Sequence, residues 1–496
     1  MPQEFRMSRL GRHSLLYGAG ILLSKAISFI MLPLYTHYLR PADYGVLQLV
    51  ELTLDVISIV AGARLLGGVF HFYHKEPEPS RQAKVLSTAL VLLTSTYSVT
   101  AAAAFVAAPA LSQLVFKTEA QTALIRIAAV TLAFQGMALV PNSYLQVKDR
   151  STTYVIANAI RLVIQLSLNI FLLTRLGLGA KGILISSLAT AVLFGVWGGA
   201  YQIRETGLWF SPPAARSLVS FGLPLVATQL AAFFNTFGDR YFLQAMTDST
   251  SVGLYAFAYQ FGFLLVSVGS EPFSMAWGPI RFEVARRPDR DAIYSQAFIY
   301  LNLLLITAAV GIQLFVGDFL QLAATPDYFP AAKMVPVLLV AYVFASYTTF
   351  HNTGLFVRER TGVVTLTSWS AAAISLIGYL LLIPKLGGMG AALATAAAFA
   401  TQWVLVYVLA MRLWPITFNW APVLRLIAVG TASCLLGIAV PAQKLLISIP
   451  LHGIILLGYM LVVYRLGLIP EEARSAIARY LLRIKGLLSL TRRSAG

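Results

Sequence analysis

Residues 293–317 read IYSQAFIYLNLLLITAAVGIQLFVG, a long run without a charged side chain. A helix of this length spans the roughly 30 Å hydrocarbon core of a bilayer. Similar runs recur along nearly the whole chain. They predict an all-α polytopic membrane protein of about 14 transmembrane helices, at residues 13–36, 45–68, 85–109, 124–146, 153–174, 180–202, 217–243, 252–275, 293–317, 332–355, 362–384, 388–411, 422–441 and 446–465.

The composition agrees with a membrane protein and argues against disulfide-bonded and metal-binding proteins. Of the 496 residues, 58% are hydrophobic and 11% are charged, whereas soluble proteins carry about 25% charged residues. The single cysteine, Cys434, excludes an intramolecular disulfide, and the six histidines show no metal-binding spacing. We therefore expect no metal and no other cofactor. The apolar run from Leu15 to Tyr35 is too long for a signal peptide, so we expect a retained first helix.

The net charge of +17 is explained by the distribution of basic residues. Membrane proteins hold Lys and Arg in cytoplasmic loops. If the N-terminus is cytoplasmic, only seven basic residues belong to the opposite side: Arg40, Lys117, Arg175, Lys181, Lys333, Lys385 and Lys444. This bias predicts that both termini lie in the cytoplasm. We expect a bacterial cytoplasmic (inner) membrane protein, and no nucleic-acid partner is expected. Basic and apolar residues alternate in the tail, which predicts an amphipathic helix on the membrane surface.

The sequence contains an internal repeat. Residues 147–177 align without gaps with 357–387, and residues 15–47 align with 223–255, which places Gly45 on Gly253. Each repeat would hold six helices, and an even number makes both halves enter the membrane from the same side. We predict two parallel six-helix lobes at 1–205 and 206–412, two additional transmembrane helices at 413–465, and the basic amphipathic cytoplasmic tail at 466–496.

Short motifs stand at the predicted helix ends. They are Leu32–Thr36 (LPLYT), Leu39–Gly45 (LRPADYG), Asp239–Tyr241 (DRY), Val252–Tyr255 (VGLY), Ala276–Pro279 (AWGP) and Tyr328–Ala331 (YFPA). Their order and spacing resemble the polysaccharide-biosynthesis flippases of the multidrug/oligosaccharidyl-lipid/polysaccharide exporter superfamily. One departure is the segment His71–Tyr73, which stands where that family often has an arginine-led pattern.

The resemblance implies a flippase for surface polysaccharide biosynthesis. Such a protein would carry an undecaprenyl-pyrophosphate-linked oligosaccharide from the cytoplasmic to the periplasmic leaflet by alternating access. The resemblance implies no covalent step, so no enzyme and no catalytic residue is expected. The implied partners are the lipid-linked oligosaccharide, membrane lipids, a coupling ion and polysaccharide assembly proteins.

Basic residues inside the predicted helices are the candidates for binding this substrate, because a charge in the membrane is costly and is usually functional. Arginine offers a fork of donors to a phosphate, and lysine offers a point charge. A structural alternative stays open, in which Lys25 and Arg240 pair with nearby carboxylates. The substrate-binding candidates are Lys25, Arg64, Arg161 and Arg240.

Acidic residues inside the helices are candidates for coupling to a proton or a sodium ion. They are Glu51, Asp55 and Asp239, and the first two are four residues apart and therefore share a helix face. Amides and aromatic rings suit sugar binding, although they also join helices. The sugar-binding candidates are Asn158, Gln165, Asn169, Gln229, Asn235, Tyr259 and Gln260.

Two other functions stay open from the sequence. An ion-coupled multidrug/cation antiporter of the same superfamily should have a midplane site dominated by carboxylates, whereas cations and carboxylates are nearly balanced here. A membrane glycosyltransferase would normally bring a sizeable extramembrane loop with clustered acids, and the loops between the predicted helices are short.

Overall fold

The computed structural model describes residues 29–469 except 30, 63–64 and 441–444, and every regular element in that part of the chain is helical. The first half of the chain forms α1 Leu32–Tyr38, α2 Pro41–Ala61, α3 Leu65–Lys75, α4 Pro79–Val106, α5 Ala108–Phe116, α6 Thr122–Val147, α7 Ser151–Thr174, α8 Gly179–Thr206, α9 Pro212–Phe237 and α10 Asp239–Met246.

The second half continues with helices of similar length. They are α11 Ser249–Leu265, α12 Glu271–Val284, α13 Arg290–Ala323, α14 Val335–Val357, α15 Thr361–Leu386, α16 Gly388–Leu413, α17 Trp420–Ile438 and α18 Leu445–Arg465. A π-helical turn, Val266–Ser270, joins α11 to α12, and a 3₁₀ helix, Pro326–Lys333, precedes α14.

The long helices are suited to crossing a membrane. Twelve helical stretches of the described residues are long and apolar enough, and a bent pair, the 3₁₀ helix followed by α14 at 47°, makes up to thirteen. These stretches overlap the predicted second to fourteenth helices. The predicted first helix, 13–36, lies mostly outside the described residues. The predicted all-α polytopic fold is therefore confirmed.

Some predicted helices are interrupted, and a glycine stands at two of the breaks. The predicted helix 45–68 divides into α2 and α3 after Gly62, whose φ of 114° lies in the left-handed region that favours glycine. The predicted helix 217–243 divides into α9 and α10 at Gly238. The sequence shows the glycines, but glycines are common in membrane helices and do not by themselves predict a break.

The chain divides into two compact units that differ from the predicted lobes in their boundaries. Among the described residues, the first comprises 29–257, 323–331 and 372–395, and the second comprises 258–322, 332–371 and 396–469. The lobes themselves stay a prediction. The predicted tail, 466–496, lies outside the described residues from 470 onward.

Close helix packing in the first unit depends on small residues. A Cβ atom at Gly136 of α6 would collide with Tyr97 of α4, and one at Gly195 of α8 would collide with the main-chain oxygen of Phe134. Small residues let membrane helices approach each other closely, which gains van der Waals contact where lipid offers no hydrophobic drive.

Backbone geometry repeats at the offset found in the sequence. Asp149 and Glu359 both have φ of 54°, and Gly177 and Gly387 have φ of 62° and 55°. Because non-glycine residues rarely adopt positive φ, the matching turns show that the aligned segments also share local structure.

The second sequence match also has a structural counterpart. A Cβ atom at Gly45 would collide with the oxygen of Ser249, and one at Gly253 would collide with the oxygen of Pro41. Pro41 and Ser249 begin α2 and α11, so the two helices cross with reciprocal contacts. Only glycine permits this approach of the two backbones.

Candidate functional site

A polar stripe runs along α7. Asn158, Arg161, Gln165 and Asn169 follow one another at intervals of three and four residues, which places them on one face of the helix. The sequence analysis named all four residues but did not group them. Their shared face could have been found from the spacing alone.

The three amides of this stripe are bonded to neighbouring helices or to α7 itself. Asn158 donates to the main-chain oxygen of Tyr154 at 2.9 Å. Gln165 donates to the Ser187 hydroxyl of α8 at 3.2 Å. The bond from Gln165 joins this face of α7 to α8, so the direction of the stripe is set by the fold.

Asn169 connects three helices at one end of the stripe. Its amide nitrogen donates to the Tyr35 hydroxyl of α1 at 3.0 Å, and its oxygen accepts from Ser186 of α8. Asn169 is buried. An amide used in this way is a helix connector, which was one of the two alternatives for such residues.

Arg161 is the exception within the stripe. It lies ten residues into α7, about 15 Å from the start of the helix and therefore near the middle of a membrane span. Its side chain is partly buried and lines a small cavity with Asn142, Asn158 and Trp197. The guanidinium forms no hydrogen bond or ion pair with any residue that the structure describes. It is therefore a cation available to an anionic ligand.

A second polar stripe, on α2, is acidic. Gln48, Glu51, Asp55 and Ser58 are spaced three, four and three residues apart, again on one face. Gln48 donates to Glu51 at 3.2 Å, and Ser58 bonds the Tyr97 hydroxyl at 2.7 Å. Asp55 is exposed and has no hydrogen bond or ion pair within the described part of the chain.

Asp239 and Arg240 of α10 are different, because their side chains satisfy each other. The Arg240 Nη1 atom lies 2.9 Å from Asp239 Oδ1, and the two side chains are 2% and 1% exposed. The Tyr255 hydroxyl donates to Asp239 Oδ2 at 2.6 Å. The guanidinium also lies over the rings of Phe237 and Tyr255, at 5.2 and 5.5 Å from their centroids.

This network corresponds to the pairing alternative for Arg240. A buried ion pair of this kind must be broken before either partner can bind a ligand. The substrate role of Arg240 and the ion-coupling role of Asp239 stay predictions. Lys25 and Arg64, the other two substrate-binding candidates, lie outside the described residues.

Sequence reasoning missed a polar cluster at the end of α6. Arg150 forms an ion pair with Glu205 at 3.2 Å, donates to Tyr201, and lies over the ring of Tyr144. The hydrogen bonds that Arg150 donates to Glu205 hold the pKa of the Arg150 guanidinium above its ordinary value. Nothing in the local sequence marks this cluster, since Arg150 and Glu205 are 55 residues apart.

A bundle of apolar helices that carries polar, partly exposed stripes is the architecture of a membrane transporter. Residues 10–285 match the model of a family described as polysaccharide biosynthesis protein. The match covers more than half of the chain, and the chain belongs to this family. The resemblance noted in the motifs is thereby confirmed.

One relative and two solved structures illustrate the similarity. The chain is 23% identical over 399 residues to the probable low-salt glycan biosynthesis flippase Agl15 of Haloferax volcanii, covering 79% of this chain and 80% of the relative. The lipid II flippase MurJ in an inward closed conformation has a TM-score of 0.74 at 14% identity, covering 91% of this chain and 99% of that one.

The second structure is an inward-facing multidrug resistance transporter of the MATE family. Its TM-score is 0.59 at 14% identity, with 78% of this chain and 94% of that chain covered. At such low identity these structures show a shared fold only. The common fold includes flippases and drug exporters, and so the choice between them must come from the site.

Proposed function

We propose that this protein is a flippase that carries an undecaprenyl-pyrophosphate-linked oligosaccharide from the cytoplasmic to the periplasmic leaflet of a bacterial inner membrane. It works by alternating access, with both termini in the cytoplasm, and supplies surface polysaccharide biosynthesis. It catalyses no covalent reaction. The family membership and the flippase relative support the class of substrate.

The observation that carries the proposal is the unpaired guanidinium of Arg161. Placing a cation near the middle of a membrane is costly unless an anion compensates it. The described residues that line the cavity with Arg161 are two amides, two aromatic rings and apolar residues, and none of them neutralises it. A pyrophosphate group would do so, because a guanidinium forms paired hydrogen bonds with phosphate oxygens.

The surroundings of Arg161 also suit the sugars that follow the pyrophosphate. Asn142 and Asn158 offer both donors and acceptors, and Trp197 offers an aromatic face beside them. Sugars present hydroxyl groups and an apolar ring face, so such a lining suits them without matching one particular sugar. The cavity is about 20 Å³ in this structure, so binding requires the opening that alternating access provides. The coupling ion, a proton or sodium, would be taken up by Glu51 or Asp55 on α2.

A deletion strain tests the proposal. We expect it to lose surface polysaccharide and to accumulate the lipid-linked oligosaccharide, and we expect the wild-type gene to restore both. Arg161→Gln should fail to restore them at normal protein levels. The matched control is Arg126→Gln, which removes a cation near the start of α6 that lies 5.2 Å from the ring centroid of Phe105.

Two results would contradict the proposal. Unchanged polysaccharide in the deletion strain would exclude the proposed substrate. Full restoration by Arg161→Gln would exclude this arginine as the binding group, while leaving the substrate class intact.

A second candidate is an ion-coupled multidrug/cation antiporter. Asp55 favours it, because this carboxylate is exposed and has no cationic partner in the described residues. An antiporter predicts unchanged polysaccharide and raised sensitivity to cationic drugs in the deletion strain, with Asp55→Asn as inactive as the deletion. The flippase predicts unchanged drug sensitivity.

A further inference from the structure

The C-terminal helix pair α17–α18 contains a buried polar cluster that is separate from the polar stripes on α2 and α7. The Ser448 hydroxyl of α18 donates to Asp318 Oδ1 of α13 at 2.6 Å, and His452 Nδ1 lies 2.6 Å from Asp318 Oδ2. The histidine and aspartate side chains are 6% and 4% exposed. A buried acid and base in contact within a membrane segment is rare enough to need an explanation.

The hydrogen-bond partners of His452 determine how many protons the cluster holds. Nε2 lies 3.3 Å from the main-chain oxygen of Gly437 on α17. A carbonyl oxygen only accepts, so this contact is a hydrogen bond only when Nε2 carries the hydrogen. A neutral imidazole has one N–H group, which leaves Nδ1 as an acceptor facing a carboxylate that also only accepts. The contact at 2.6 Å therefore requires one additional proton between Nδ1 and Oδ2.

We propose that Asp318 and His452 form a proton-binding site that fastens α17 and α18 to α13. The ligand is a single proton, shared between the imidazole and the carboxylate. With the proton bound, the cluster has no net charge and all three helices contribute a contact. The proposal needs no substrate and so stands independently of the proposed function.

Loss of this proton would leave a net negative charge in an apolar environment. The Leu314 side chain lies against Gly437, and the ring of Phe315 meets that of His452 at 5.9 Å. One of the two contacts of His452, with Gly437 or with Asp318, would then bring two lone pairs together with no hydrogen between them. Because each contact joins a different helix to His452, deprotonation would loosen the helix pair α17–α18.

Other titratable groups on these helices are few near the cluster. On α17, Cys434 precedes Gly437 by one turn. On α18, Tyr459 follows His452 by two turns and bonds Thr307 at 3.2 Å. Further charged residues lie near the opposite ends of the three helices, namely Arg290, Asp291, Arg425 and Arg465. Lys444 precedes α18 in the sequence and lies outside the described residues.

His351 provides a natural contrast within the same unit. It is also buried, and its Nδ1 lies 2.8 Å from the main-chain oxygen of Tyr347. Its Nε2 has no hydrogen-bond partner among the described residues. One N–H group satisfies this arrangement, so His351 needs no additional proton and serves as the matched control.

Spectroscopy of the full-length protein in nanodiscs tests for the proton directly. Nitrogen NMR of ring-labelled histidine, assigned with His452→Gln and His351→Gln, reports which ring nitrogens are protonated. Infrared difference spectra of Asp318→Asn report a protonated carboxyl group. At neutral pH we expect either two protonated nitrogens on His452 or a protonated Asp318, and one protonated nitrogen on His351. An ionised Asp318 beside a neutral His452 would overturn the proposal.

Cys434 tests whether the proton fastens the helices. As the single cysteine of the chain, on α17, it can be labelled with a membrane-permeant maleimide without background. We expect the rate of Cys434 labelling to rise with pH in wild type and in the variant Asp318→Asn/His452→Gln. The rise should be roughly tenfold larger in wild type, because only wild type loses one charge-assisted hydrogen bond.

The double variant replaces the acid–base pair with two neutral amides that can still bond each other, so it keeps the helices together and removes the proton site. Its labelling reports the intrinsic pH dependence of the thiol. Equal pH dependence in wild type and the double variant would show that the proton does not control the helix pair. His351→Gln should label as wild type does.

Discussion

Two arginines on helices, Arg240 of α10 and Arg161 of α7, have opposite surroundings. Arg240 is almost completely buried and lies 2.9 Å from Asp239, its sequence neighbour. Arg161 is partly buried and has no hydrogen bond or ion pair within the described part of the chain. A charged side chain can thus either stabilise the fold or remain available to bind a ligand, and its neighbouring residues decide which.

The largest effect on stability is expected where a buried charge loses its partner. Asp239→Ala would leave Arg240 buried and uncompensated, which costs about 3–5 kcal/mol. Thermal unfolding of the purified protein should show the loss, and Asp239→Asn/Arg240→Gln should recover much of it. Arg161→Gln should unfold at the wild-type temperature. If Asp239→Ala did so as well, the two arginines would not differ in the way we describe.

A smaller effect on stability is expected where the backbones of α2 and α11 cross. Gly45→Ala would force the crossing of α2 and α11 apart, and overpacking of this kind costs about 1–3 kcal/mol. The control is Gly311→Ala on α13, where an added Cβ atom has no neighbour within 4 Å. Thermal unfolding should separate the two variants. Equal unfolding temperatures would show that the crossing tolerates a side chain.

The smallest effect is expected for an ion pair in water. Arg287 and Asp289 lie 2.9 Å apart in an exposed loop, and the hydrogen bond from Arg287 lowers the pKa of Asp289. The pair therefore stabilises the fold above the ordinary aspartate pKa and loses this contribution as pH falls through the lowered value. Asp289→Asn should leave the unfolding temperature unchanged within error. A shift as large as that of Asp239→Ala would contradict this.

Much of the fold follows from the sequence because a bilayer imposes a simple rule of length and apolarity. The helix around 293–317 is visible as an uncharged run, and the structure extends it to Arg290–Ala323. The breaks are less visible. Gly62 and Gly238 end or divide helices, whereas Gly311 lies inside one, and the sequence around them does not distinguish these outcomes.

The candidate site is only partly predictable. The spacing of Asn158, Arg161, Gln165 and Asn169 fixes their common face, because helix periodicity is a local property. The partners of Gln165 and Asn169 come from α1 and α8, and no local pattern specifies which helix will lie opposite. The pairing of Asp318 with His452 has the same origin, since the two residues are 134 positions apart.

Transport by purified protein in vesicles is the most direct test of the central claim. The assay would follow movement of a lipid-linked oligosaccharide between leaflets for wild type, Arg161→Gln, Arg161→Lys and the control Arg126→Gln. We predict that Arg161→Gln lowers the rate at least about tenfold, that Arg161→Lys retains part of it, and that Arg126→Gln retains all of it. Transport by Arg161→Gln at the wild-type rate would contradict the account.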